Sequence, residues 1–535
     1  MKPLTRIQQL EKQNKDLRVR IDNRQGKAEI ALNVVKDENT SLKLQLSTKG
    51  KAIVMLQAGM NVVTEENEKL KKENGELKDA LDKANDRVAK LEAMLKKDST
   101  NSSKPPSTDS EFTKAKADSN KEKSGKAVGG QPGHKGHYLL PSPEPDNIVD
   151  KKPPSVCSRC GGDVIFSDKY EARQNKDFEV IVTIREERVY HGRCVNCKKK
   201  YKGEFSEGFN SHAGYGANVK AATAMLNTDA NVPVHKTALF ISCLTEGKIN
   251  MSDGTVVNIT AELAAKFMSA VQEIVILLAS CGVLNVDETG VRVNGKLTWM
   301  QIISNENYSL YARSLKRGTL NDEMESLIML FTGVLVHDHL SSYYGYTHLS
   351  HAECNVHILR YLKAVTEIMH HPWAKDLAGL LVNANNQKKE LLKNDITKMK
   401  DEDLEEIRER FTTILDQGQK EYDAAIEGKT NITYYEEECR LLNRLRKYID
   451  EHLRFLCDFA VPFSNNVAEH GARHIKGKKK TSGGFRSDSG VDNYAVIASV
   501  VATLRKQRKH VYTAMRNAFK GKPPKIYEPV IIEPG

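Results

Sequence analysis

The sequence predicts a multidomain α+β protein, and three observations predict it. Apolar residues recur at heptad spacing through the first hundred positions. Two CxxC pairs follow a Ser-, Lys- and Pro-rich stretch, and from residue 283 four strand-like segments and one helix-like segment follow one another. A chain of 535 residues is too long for one ordinary core, so several domains are expected. The net charge of +11 makes polyanions suitable partners. No run of about eighteen apolar residues occurs, so no membrane span is expected. The start, MKPLTRIQQLEKQNKDLRVR, lacks the apolar core of a signal peptide. A cytoplasmic, reducing location is therefore expected, where nine cysteines serve as metal ligands or packed thiols rather than disulfides.

Residues 1–97 read as a coiled coil. From Leu32 the series runs Val35, Asn39, Leu42, Leu46, Ile53, Leu56, Met60 and Val63, then Asn67, Leu70, Asn74, Leu77, Leu81, Ala84, Val88, Leu91 and Leu95. Lys49 alone breaks it. A register held this long favours a coiled coil over a single bundle helix. Asn39, Asn67 and Asn74 fall at position a, where a buried Asn costs stability but selects a parallel two-stranded register. A parallel homodimer is the expectation. Residues 98–150 (DSTNSSKPPSTDS, then KEKSGKAVGGQPGHKGH) are too polar to bury a core and read as a flexible basic linker.

In residues 151–205, Cys157 and Cys160 (CSRC) are followed by Cys194 and Cys197 (CVNC). Two such knuckles supply four thiolates, which close the shell of one structural Zn²⁺ ion. The intervening DFEVIVTIREERVYHG has strand-like patterning, so a zinc ribbon-like domain is expected. Residues 215–270 read as helix, turn (EGKINMS) and helix, with Ser252 capping the last helix; this suits a DNA-binding helix-turn-helix.

Residues 280–520 carry the catalytic candidates. VLNVDET, KLTWMQIIS and YSLYARS read as strands, TLNDEMESLIML as a helix and FTGVLVHDH as a fourth strand. That order, with one acid on the first strand and another just after the fourth, is the order of a ribonuclease-H-like core. Asp287 and Asp338 then lie at adjacent strand ends, where carboxylates can clamp two divalent ions, Mg²⁺ or Mn²⁺, for phosphoryl transfer. Asp287 is preferred to Glu288 because it follows the apolar Val286. A charged, helical insertion occupies about 355–455, and 521–535 form a tail. In VPFSNNVAEHGARHIKGKKKTSGGFRS (461–487), Glu469 is the lone acid. On a helix begun near Asn465 and Asn466 and stopped at Gly483 or Gly484, it shares a face with Arg473, Lys476 and Lys480. Those three cations would track DNA phosphates, whereas a plain i,i+4 pair of Glu469 with Arg473 is the simpler account of that stretch alone. Cys243, Cys281, Cys354, Cys439 and Cys457 lack ligand spacing and read as ordinary buried thiols. Tyr343, Tyr344 and Tyr346 read as residues stacked in the fold.

Taken in order, these segments resemble the bacterial insertion-sequence-66 family of DDE transposases. The resemblance rests on NSSKPPSTDS, GGQPGHKGH, the paired CxxC motifs, NVDET, VHDHLSSYYGY, HAECNVHILRYL and NNVAEHGARHIKGKKKTSGGFRS. It implies that Asp287, Asp338 and Glu469 are the metal-binding catalytic triad, and that His357 and Arg360 match a His and an Arg after the second acid. The chain departs from the family in having Ser464 where an Asp is usual, and His470 where an Arg follows the glutamate. The resemblance implies cleavage at element ends and strand transfer into target DNA. It also implies double-stranded DNA partners (terminal inverted repeats and target), possible small accessory proteins of the same element, and a nucleoid-associated location. A zipper-dimerised DNA-binding regulator, or a nuclease that cuts without joining, are the alternatives.

Overall fold

A computed structural model describes residues 40, 63–97, 101–102, 139–165, 168–206, 208–209, 211–429 and 432–527. The chain divides into two compact units, 1–91 with 428–434, and 92–427 with 435–535. Most of the heptad series before residue 63, most of the linker, and the tail beyond residue 527 lie outside the described residues. Helix α1 (Val63–Lys96) covers the last third of the heptad run. Its predicted seam residues Leu77 and Leu81 are each 60% exposed, and Val88 and Leu91 are also exposed. Polar on its other faces, this helix has little to bury within one chain.

Both CxxC turns are formed. Cys157 N–H donates to Gly162 O (2.8 Å) and Gly161 N–H to Cys157 O (2.9 Å); Cys194 N–H donates to Lys199 O (2.8 Å). The second turn joins a short antiparallel hairpin, β1 (His191–Arg193) and β2 (Lys200–Lys202). The expected strand pattern upstream differs: 177–190 belong to no strand, and Ile181 and Ile184 are exposed. A strand ladder needs a partner, and nothing there supplies one.

Helix α2 (Ala217–Ala224) runs through a π-helical turn (Met225–Asp229) to α3 (Val234–Leu244), a loop, and α4 (Asp253–Ala279). Ser252 Oγ accepts the Thr255 N–H at 3.2 Å and so caps α4 as expected. Most of the apolar run VQEIVILLASCGVL is the end of this helix. A five-stranded sheet follows, built from β3 (Val283–Val293), β4 (Lys296–Ser304), β5 (Ser309–Ser314), β6 (Val334–His337) and β7 (Ser350–Glu353) in the order β5-β4-β3-β6-β7. The first three are antiparallel neighbours; β6 runs parallel to β3, and β7 parallel to β6. Helix α5 (Asp322–Leu330) connects β5 to β6. Four of these strands match the segments read from sequence; β7 does not.

Next come α6 (Asn355–Ala364), α7 (Pro372–Leu392), α8 (Asp401–Ile426), α9 (Glu436–Lys447) and α10 (Ile449–Cys457). The chain then returns through α11 (Asn466–Ser482), α12 (Asp488–Lys506) and α13 (Val511–Phe519).

Alternation along the strands sends side chains to two faces. Ile303 and Leu310 join a core with Leu263, Phe267 and Ile274 of α4 and Ile497 of α12. Ile302 and Tyr311 join another with Ala468, Ala472 and Ile475 of α11. The helical segment 215–270 thus shares its core with the sheet. A third core, around Trp373, Phe411 and Leu442, sets the inserted helices against Val336 of β6 and Ala352 of β7. Among the described residues, no helix is long and apolar enough to cross a membrane.

Candidate active site

Strand register brings the two aspartates together. The parallel pairing of β3 with β6 ends at Asn285 opposite Val336. Two residues further on stand Asp287 and Asp338, side by side at the edge where β6 ends. Asp287 itself lies within β3, which runs on to Val293 against β4, rather than at a strand end as expected. Glu469 reaches this edge from the first turn of α11, and its helix is held there by Asn465. That buried side chain donates to Val286 O (2.7 Å) and accepts from Asn285 Nδ2 (2.9 Å), fixing the start of α11 against β3 one residue before Asp287. Gly471 lets the same helix lie close to the sheet: a Cβ there would stand 2.7 Å from Tyr311 Oη. Helix α11 ends at Gly483, whose φ of 74° is left-handed.

Burial pushes the Asp287 carboxyl up to about 7; the charge of Asp338 adds to this and that of Glu469 contributes less, while the Glu288 N–H and Lys476 oppose it. Three carboxylates are thus close enough to repel one another electrostatically. Glu288 is occupied elsewhere, accepting from Arg317 Nε (2.8 Å) and Gly318 N–H (2.9 Å). Arg473, Lys476 and Lys480 are exposed on the face of α11 opposite buried Ala472 and Ile475. Arg473 lies 3.8 Å from Glu469 Oε2.

His357, on the first turn of α6, has Nδ1 3.8 Å from Glu469 Oε1; both atoms are buried and neither has a hydrogen-bond partner. Burial lowers the His357 pKa from the ordinary value, partly offset by Glu469 and reinforced by nearby Arg360. Cys354 caps α6 and its Sγ accepts the Asn465 N–H (3.2 Å). Among the described residues, Cys354, His357 and Glu469 are the one group of three potential ligands whose donor atoms lie within 4.8 Å of one another. The three carboxylates are not gathered that tightly, nor are the sulfurs of Cys157, Cys160, Cys194 and Cys197.

Three features here were not read from sequence. Cys354 is a buried thiol as expected, its pKa pushed up to about 12 by burial, but its place beside His357 and Glu469 was not foreseen. The other four cysteines of that set are not buried: Cys243 and Cys457 are exposed, Cys281 and Cys439 half-buried. Glu353, at the end of β7, is wholly buried and accepts hydrogen bonds from His339, Tyr344 and Arg444 Nη2 (2.7 Å for the last). Burial alone would raise its pKa, yet the His339 hydrogen bond and the Arg444 charge hold it below the usual carboxylate range. His339 follows Asp338 directly and has a φ of 69°, so this network anchors the turn that carries the aspartate. The tyrosines behave as expected. Tyr343 is buried, Tyr344 stacks on Tyr448 at 4.4 Å, and Tyr346 donates to Glu325.

No curated protein matches the chain. A model described as a family of unknown function matches residues 57–139. The model of the Transposase IS66 family matches residues 213–493, from just before α2 into α12, and so includes both aspartates, the inserted helices and Glu469. Membership of that family implies DNA binding and DNA-processing activity, of a kind that typically depends on metal. On a match that spans more than half of its length, the chain belongs to the IS66 family of transposases.

Proposed function

We propose that the protein is a DDE transposase that cuts at the ends of an insertion sequence and joins the 3′-hydroxyl to target DNA, with Asp287, Asp338 and Glu469 as its catalytic carboxylates. The observation that carries this reading is the meeting of three acids from β3, the end of β6 and α11 at one sheet edge, marked by the raised pKa of Asp287. The strand order, with three antiparallel strands followed by two parallel ones, supports a ribonuclease-H-like core.

The donor set fits hard divalent cations: only oxygen ligands are offered, and their mutual repulsion is what a dication relieves. Bound Mg²⁺ or Mn²⁺, two ions in this reading, would supply a lowered pKa for the attacking hydroxyl and charge neutralisation at the leaving oxygen. The chain's own groups do the rest. Asp287 and Asp338 are held rigid by the sheet and by the Glu353 network, and Glu469 is delivered by a helix locked through Asn465. Arg473, Lys476 and Lys480 run along the exposed face of α11 as phosphate contacts that position the strand in line. Arg360 stands behind His357 as a further cation.

The rest of the chain is read accordingly. The exposed seam of α1 supports a homodimer through a parallel coiled coil, able to hold two element ends. The two preformed CxxC turns support a structural zinc ion, although their sulfurs lie apart here. The segment 215–270 is proposed to contact the terminal repeats. Accessory proteins of the element and a nucleoid location remain part of this proposal.

The test is a strand-transfer assay with Mg²⁺ on end-containing DNA. Glu469→Gln should retain DNA binding and lose cutting roughly a thousandfold, the equivalent of about 4 kcal/mol of transition-state stabilisation. Undiminished cutting by this variant would overturn the triad. Cutting without joining by the wild type would leave a nuclease, and DNA binding without cutting a regulator.

A further inference from the structure

Glu469 faces two chemically different sets of partners. One set is the carboxylates Asp287 and Asp338; the other is a thiol and an imidazole. The second set is built by the meeting of two helix starts. Asn465 N–H, at the start of α11, donates to Cys354 Sγ, and Asn355 N–H, at the start of α6, donates to Phe463 O (3.1 Å). Cys354 stands at the N-cap position just before α6 and His357 on its first turn, and their donor atoms lie within 4.8 Å of each other and of Glu469.

Two features of this cluster ask for an occupant. Glu469 Oε1 and His357 Nδ1 are buried and unpartnered, and at 3.8 Å they are too far apart to bond each other. Leaving such groups buried and unsatisfied is costly, and a bound ion would remove that cost. Sulfur, nitrogen and oxygen donors within 4.8 Å of one another are also close to the arrangement a tetrahedral ion requires. Bonds of about 2.0–2.3 Å place neighbouring ligands about 3.3–3.8 Å apart.

We propose that Cys354, His357 and Glu469 form a binding site for a thiophilic divalent ion of the Zn²⁺ class, and that its occupation withdraws Glu469 from the carboxylate set and so inhibits cutting. The thiol loses its proton to solvent as the sulfur–metal bond forms. Mg²⁺ prefers oxygen and is poorly served by a thiolate and an imidazole, so the two classes of metal compete for one glutamate. The inhibitory half rests on the reading of Glu469 as a catalytic ligand; the binding half does not.

The full chain, stripped of metal, is titrated with Co²⁺ while thiolate-to-cobalt charge transfer and visible d–d bands are recorded. The CxxC cysteines contribute their own signal, so the readout is the difference between wild type and variants. Wild type should take up one equivalent more than Cys354→Ser, and His357→Asn and Glu469→Gln should weaken that equivalent at least tenfold. Serine keeps an acceptor for the Asn465 N–H; should that variant still fail to fold, His357→Asn decides the matter. Equal uptake and superimposable spectra in wild type and variants would overturn the proposal, whatever the cutting assay gives. If the Co²⁺ site is present but added Zn²⁺ leaves Mg²⁺-dependent cutting unchanged, the inhibitory half falls, while the cutting assay on Glu469→Gln decides separately whether Glu469 is a catalytic ligand.

Discussion

Asp287 is the residue whose environment departs furthest from what its sequence neighbours announce. An aspartate in an unfolded chain ionises near pH 3.9, whereas burial and the Asp338 charge hold Asp287 protonated up to about 7. The folded protein binds the extra proton between those values. Its stabilising effect is therefore full below about pH 4 and is lost as the pH rises through 7, a difference on the order of 4 kcal/mol. Metal-free wild type should accordingly lose thermal stability relative to Asp287→Asn between pH 5 and pH 8. Added Mg²⁺ should restore the wild type at pH 8 and leave the variant unmoved. Parallel melting curves for the two proteins across that range would show that Asp287 ionises normally and that no carboxylate cluster surrounds it. Asp287 itself was legible from VLNVDET as an acid following an apolar strand run, although the strand does not end there but continues to Val293. Its coupling to Asp338 was legible only as strand order. Glu353 was not legible at all, since its cation Arg444 lies 91 positions away on an inserted helix that reads as solvated.

At the scale of elements, the closeness of α11 to the sheet decides where Glu469 stands. Gly471 is two residues beyond Glu469, and a methyl group there meets Tyr311 Oη at 2.7 Å and Ile302 Cγ2 at 3.2 Å, both on buried strands. Gly471→Ala gains about 1 kcal/mol of helix propensity, and overpacking costs about 1–3 kcal/mol. The melting temperature should therefore move by only a few degrees. Cutting should fall at least tenfold, because the helix must retreat and take its glutamate with it. Tyr311→Phe removes the atom in the way, so the double variant should recover most of the activity. No recovery would mean that the helix does not relay the clash to Glu469. Strands β3 to β6 were readable because their apolar residues alternate or run together between turns. Strand β7 was hidden: Ser350–Glu353 is four residues long with Ala352 its one apolar residue, and its burial is conferred by the inserted helices. The CxxH spacing of Cys354 and His357 in AECNVH was not read as a ligand signal, because its third partner, Glu469, is more than a hundred residues downstream.

Across the whole molecule, the proposed reaction would have one catalytic core handle one element end, so that joining two ends would require two chains held together. The α1 helix bears on this. A seam with Leu77 and Leu81 each 60% exposed in one chain is a poor surface for a solitary helix and a good one for a coiled coil. Each such leucine contributes about 1.5–3 kcal/mol when it becomes fully buried. Leu81→Asp combined with Val88→Asp should therefore leave a folded single chain, since both positions already face water, yet weaken the proposed dimer by more than about 3 kcal/mol. That corresponds to a loss of over roughly a hundredfold in dimer affinity. Light scattering coupled to size exclusion should give a dimeric wild type and a monomeric variant at micromolar concentration. Binding of a single end should persist in the variant, whereas paired-end cleavage should drop in step with the dimer. A monomeric wild type, or a variant that stays dimeric, would place the dimer contact elsewhere and leave the heptads of α1 to serve a different partner.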